Sequence, residues 1–143
     1  MNHDSVELLK QCNSGCKNGT NSMEQVIEYV KDENFVKLIN DYNQKHIKIG
    51  EECHKLLNKG GEEEKDPNAL VMKMAELGTD MKLLINDDAY RIADLLIDGC
   101  VMGIKSISKY INKCQKAENE VKDIAYELVC VEQDFMNELL AYL

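Results

Sequence analysis

Tryptophan is absent, and in 143 residues there are only two phenylalanines, one proline and one arginine. So little turn punctuation and so few aromatics argue against a β-sandwich or barrel, which spends Gly and Pro on many short connections. No stretch approaches the roughly 18 consecutive apolar residues that a membrane-spanning helix needs, so membrane insertion is not expected. The opening residues Met1-Asn2-His3-Asp4-Ser5 lack the basic and apolar regions of an export signal, which makes the cytoplasm the expected address. Cations are also scarce: 17 Lys+Arg stand against 26 Asp+Glu, a formal charge of −9. Nucleic-acid affinity rests on clustered cations that displace counterions, so no nucleic-acid partner is expected. What is present is 44% hydrophobic residues, enough for one packed core at this length.

Six cysteines occupy positions 12, 16, 53, 100, 114 and 130 without a single C-x-x-C. That spacing signals neither a thioredoxin-type pair nor a paired-knuckle zinc site. Free thiols, packed as small hydrophobes, are the expected state.

Apolar periodicity is helical nearly throughout. A first helix is expected over about residues 4 to 31, with Asp4 as its cap and Leu9, Cys12, Gly15/Cys16, Gly19, Met23 and Val26 as its stripe. A second, over about residues 34 to 57, carries Phe35, Ile39, Tyr42, His46, Ile49, Cys53 and Leu56 in alternating steps of four and three. Gly60-Gly61 and a run of acidic residues break the pattern, and Pro67 suits the first turn of a shorter helix over about residues 66 to 85. That helix bears Leu70, Met74, Leu77, Met81 and Leu84. Asp87-Asp88 then offers caps for a long helix to about residue 116, with Ile92, Leu96, Gly99, Gly103, Ile107, Tyr110 and Cys114 as its stripe. The last helix runs from about residue 118 to the end. Four long helices, each with an apolar face to cover, predict an all-α, single-domain four-helix bundle over residues 1–143. Its expected parts are an antiparallel hairpin (4–57), a loop and crossover helix (58–86) and a second hairpin (87–143).

An internal repeat supports two related hairpins. Gly15-Cys16-x-x-Gly19-x-x-Ser22-x-x-x-x-Ile27 matches Gly99-Cys100-x-x-Gly103-x-x-Ser106-x-x-x-x-Ile111 at a constant offset. Glycine costs about 1 kcal/mol against alanine inside a helix, so Gly15, Gly19, Gly99 and Gly103 need a reason. The expected one is helix packing, with the first and third long helices meeting backbone to backbone. The alternative is room for a ligand against bare backbone.

The chain also resembles a family. Ser14-Gly15-x-x-x-Gly19 in the first hairpin, a crossover helix, the Asp87-Asp88 cap, and Ala93-Asp94-x-x-x-Asp98-Gly99-x-x-x-Gly103 followed by Tyr110 look like the uncharacterised bacterial ferritin-like four-helix bundles, a domain-of-unknown-function family. The resemblance covers about residues 5 to 143. It implies a ferritin-like bundle with a crossover, and no assigned activity.

A di-iron centre would need inward Glu on two helices and Glu-x-x-His on the other two. Glu51-x-x-His54 has the spacing, but its phase relative to Ile49 and Cys53 points it outward, and the last helix has no such motif. His46, on its seam, and Glu132, at the edge of its own, are the candidate polar pair; a hydrogen-bonded core contact is expected ahead of a metal remnant. Glu24, Asp94 and Asp98 look partly exposed. No catalytic residue and no cofactor is expected, iron or another divalent metal being the alternative. The expected function is a structural or protein-interaction module, with a homodimer or another protein as partner through the crossover helix. A metal- or small-ligand-binding bundle with a degenerate di-iron-type site is the competing reading.

Overall fold

The computed structural model describes residues 1–62 and 89–143. These residues form four long α-helices, with no strand among them: α1 (His3–Val26), α2 (Glu33–Lys59), α3 (Ala89–Lys113) and α4 (Asn119–Leu139). Short 3₁₀ turns, Ile27–Tyr29 and Leu140–Tyr142, extend α1 and α4. The expected crossover helix, its Pro67 and Met/Leu stripe, and the Asp87-Asp88 cap lie outside the described residues. No described helix is long and apolar enough to cross a membrane.

Local signals explain the helix ends. Asn2, rather than the expected Asp4, caps α1 by accepting a hydrogen bond from Ser5 N (2.8 Å). Asp32 caps α2 by accepting from Asn34 N and Phe35 N (2.8 and 3.2 Å), relieving two of the amides a helix start leaves unpaired. At the other end of α2, Gly61 N–H donates to the Asn58 carbonyl and Glu62 N–H to that of Leu57 (3.0 and 2.9 Å). Gly61 has φ +70°, the left-handed conformation this closure requires, which explains the second of the paired glycines.

The hydrophobic core has two centres, one towards each end of the bundle. One gathers Leu8, Leu9 and Cys12 of α1 with Cys53 and Leu57 of α2, Ile107 and Ile111 of α3, and Val121 to Leu128 of α4. The other gathers Met23 and Val26, Phe35 to Tyr42, Ile92 to Cys100, and Phe135 and Leu139. α1 and α4 therefore run from the first centre to the second, and α2 and α3 run back. Leu57 and Ala89, flanking the undescribed stretch, belong to opposite ends. α1 packs on all three other helices and α2 also packs on α4.

The start of α1 clasps the α3–α4 turn. Asn2 Nδ2 donates to the Lys116 carbonyl (2.8 Å), Lys116 N to Asp4 Oδ2 (2.9 Å), and Glu118 N to Ser5 Oγ (2.8 Å). Lys113 adds an ion pair to Glu7 at 2.7 Å. These bonds satisfy turn amides and fix the register of the two hairpins.

Candidate functional site

Between the two core centres, all four helices contribute to one polar point. His46, on the α2 seam and 1% exposed, faces Glu132 of α4, 8% exposed. Nε2 of His46 contacts Oε1 of Glu132, and Nδ1 of the same ring lies 2.7 Å from the Tyr42 carbonyl oxygen. A carbonyl oxygen can only accept, so Nδ1 carries a hydrogen and donates it. The Nε2–Oε1 contact then needs one proton between them, either as imidazolium and carboxylate or as imidazole and carboxylic acid. Both arrangements have zero net charge. Burial by itself disfavours the imidazolium, but the bond and the charge of Glu132, together with the Tyr42 carbonyl, outweigh it and raise the His46 pKa.

The third helix supplies Cys100, 3% exposed, whose thiol hydrogen-bonds Glu132. Burial pushes this thiol's pKa up, and the Glu132 charge pushes it further. The first and third helices supply space. A Cβ on Gly19 would stand 3.0 Å from Cδ2 of His46, and one on Gly103 would stand 3.2 Å from Oε2 of Glu132. Only glycine lets the two side chains occupy these places without displacement.

The nearest neighbours of the four glycines are side chains or open space. Gly15 meets the side chains of Ile107 and Leu128, at 3.7 and 3.9 Å; Gly19 and Gly103 meet the polar pair; at Gly99 no atom of the described residues lies within 4 Å. All four line a cavity of about 80 Å³ between α1 and α3, bounded also by Met23, Leu96, Met102, Ile107, Leu128 and Phe135. Its polar wall comes from Gln11, Asn18 and Ser22 of α1, Ser106 of α3, and the His46–Glu132 pair. Gln11 Nε2 donates to Ser106 Oγ (2.9 Å), a contact that spans the two helices. Asn18 is 8% exposed and its Nδ2 has no hydrogen-bond partner among the described residues.

The outer carboxylates and the second histidine do not join this site. Glu51, His54, Glu24, Asp94 and Asp98 are all exposed. Among the described residues, no group of three or more His, Cys, Asp or Glu is placed to hold a metal ion. One imidazole and one carboxylate, already bonded to each other, do not fit a di-iron centre, which needs carboxylates and imidazoles from four helices. The described cysteines are free, five buried and Cys130 exposed.

Sequence reasoning found His46 and Glu132 but missed Asn18, Cys100 and Gln11. Among the described residues, five of the eight buried polar ones, Ser5, Gln11, Asn13, Ser14 and Asn18, belong to α1. Their signal was the density of Asn, Ser and Gln around the Leu9–Cys16 stripe, too polar for an ordinary bundle face. No protein-family model, curated protein or solved structure matches the chain.

Proposed function

We propose that the protein is a non-catalytic, ferritin-like four-helix bundle that holds a small molecule against bare helix backbone at its centre. The observation that carries this reading is the cavity between α1 and α3, with open space at Gly99 and the buried, unpartnered amide of Asn18 on its wall. A buried polar atom left without a partner costs about 1–3 kcal/mol, and mid-helix glycine adds to that cost. Spending both at one point is expected of a site, and a dry packing seam would have closed over it.

The ferritin-like part of the reading is supported by the opposite ends at which Leu57 and Ala89 stand, which suits a connection that crosses the bundle. Iron is not part of it, because the donor set at His46 and Glu132 is too small.

The test is binding of a library of neutral molecules of up to about six non-hydrogen atoms, followed by ¹H–¹⁵N amide shifts. Binders should move the amides of Gly15, Gly19, Gly99 and Gly103 together. A Gly99→Leu variant, whose side chain enters open space, should fold and lose them. Shifts scattered over the outer helix faces, or none, would refute the reading.

A further inference from the structure

The chemistry of the cavity wall narrows what can fill it, an inference that rests on the ligand-binding reading above. A row of glycines alone would say nothing; the second observation is Asn18, more than nine-tenths buried, lining the cavity with a free amide hydrogen-bond donor. The other polar groups there are engaged. Gln11 donates to Ser106, His46 is bonded to Tyr42 and Glu132, and Cys100 donates to Glu132. Ser22 also has its own interaction. Among the described residues, the wall thus lacks one thing, an acceptor for Asn18.

Charge and size add two limits. The His46–Glu132 pair is neutral in either proton arrangement, so it offers no net charge to draw in an ion, and an ammonium or carboxylate would lose its hydration without a counter-charge. A cavity near 150 Å³ is about enough for benzene, so the roughly 80 Å³ here suits about three to five non-hydrogen atoms.

We propose that the ligand is a short, neutral carbonyl compound, its oxygen accepting from Asn18 Nδ2 and its carbon body lying against Gly99 and the apolar wall. An alcohol of the same shape fits less well, because its hydroxyl brings a further donor to a wall whose unengaged group, Asn18 Nδ2, is itself a donor.

Four probes of equal heavy-atom count separate these cases: acetone, propan-2-ol, isopropylammonium and acetate. Each is titrated into the full chain while the backbone amides of Gly99 and Gly103 and the side-chain NH₂ of Asn18 are followed by NMR. Acetone should bind, shift the Asn18 NH₂ and outcompete the other three. Asn18→Leu, which keeps the side-chain shape and removes the donor, should weaken acetone about fivefold to tenfold. If propan-2-ol or either ion binds as well as acetone, or if Asn18→Leu binds acetone undiminished, the carbonyl assignment is overturned while a ligand-binding cavity stands. Silence from all four probes in a folded protein overturns the assignment and counts against the cavity reading with it.

Discussion

Gly103 sits against Glu132 so closely that a Cβ there would come within 3.2 Å of the carboxylate Oε2. Gly19, its counterpart in the sequence repeat, stands in the same relation to His46, at 3.0 Å from Cδ2. In each hairpin, then, the repeated glycine of the first helix makes room for a polar side chain of the second. The two polar side chains meet in the middle of the bundle. The repeat marks a shared steric solution.

The glycines should therefore differ in how they respond to alanine. Gly99→Ala meets no atom of the described residues within 4 Å and gains helix propensity, so it should stabilise the protein by up to about 1 kcal/mol. Gly19→Ala and Gly103→Ala gain the same propensity but must displace His46 or Glu132, and a net loss of about 1–2 kcal/mol is expected. Urea denaturation of the three variants checks this. Equal effects at all three positions would separate the glycines from the pair.

Breaking the pair should cost more than replacing it. Glu132→Leu leaves the buried imidazole with no partner on Nε2, and a loss of about 3 kcal/mol is expected. The double variant His46→Leu/Glu132→Leu removes both polar groups and should recover most of that, because a buried ion pair and an apolar pair of similar volume are close in energy. A double-mutant cycle from chemical denaturation measures the coupling.

Stability should also depend on pH through His46. Its folded-state pKa is raised, so its contribution is complete below the unfolded value of about 6.5 and is lost as pH climbs through the higher folded value. Above that point the Glu132 carboxylate faces a bare Nε2 lone pair, since Nδ1 is held as donor by Tyr42. The other ionisable groups near the pair are the Cys100 thiol from α3 and the Cys16 thiol from α1, both raised chiefly by burial and therefore neutral across this range. Melting temperatures measured from pH 6 upward should fall in the wild type and flatten in the double variant His46→Leu/Glu132→Leu, which leaves neither group to titrate.

Much of this arrangement was legible before any coordinates. The step-four, step-three seam from Phe35 to Cys53 placed His46 inside, because helical phase decides burial when a stripe is unbroken. The same phase argument put Glu51 and His54 outside, where they are. Glu132 was harder, since Val131 beside it competes for the seam, and the polar contact with His46, rather than hydropathy, turns the carboxylate inward. The cavity was not legible. A glycine stripe means close approach or empty space depending on what the neighbouring helices place opposite it, and periodicity does not set Asn18 apart from the other polar residues of α1.

Thiol chemistry should report the same interior. Burial raises the pKa of Cys12, Cys16 and Cys100, and pushes that of Cys53 up to about 12, while Cys130 lies exposed. The thiolate is the reactive form, so at pH 8 a thiol reagent should label one cysteine per folded chain quickly and the remaining five of the six only on unfolding. Cys130→Ser should abolish the fast phase.

Asn18 supplies the sharpest stability test, because its two possible roles predict opposite signs. If the amide were an ordinary structural residue, replacing it by leucine would remove native bonds and destabilise the chain. Its Nδ2 has no partner among the described residues, however, and the side chain shares the cavity wall with Met23, Leu96 and Ile107. Leucine there removes a buried donor whose desolvation costs about 1–3 kcal/mol and adds apolar contact with the same wall. Asn18→Leu should therefore raise the midpoint of urea unfolding by an amount equivalent to about 1–2 kcal/mol with an unchanged slope. A lowered midpoint would mean that the amide is satisfied in solution, and with it the case for an unfilled site on α1 would fail.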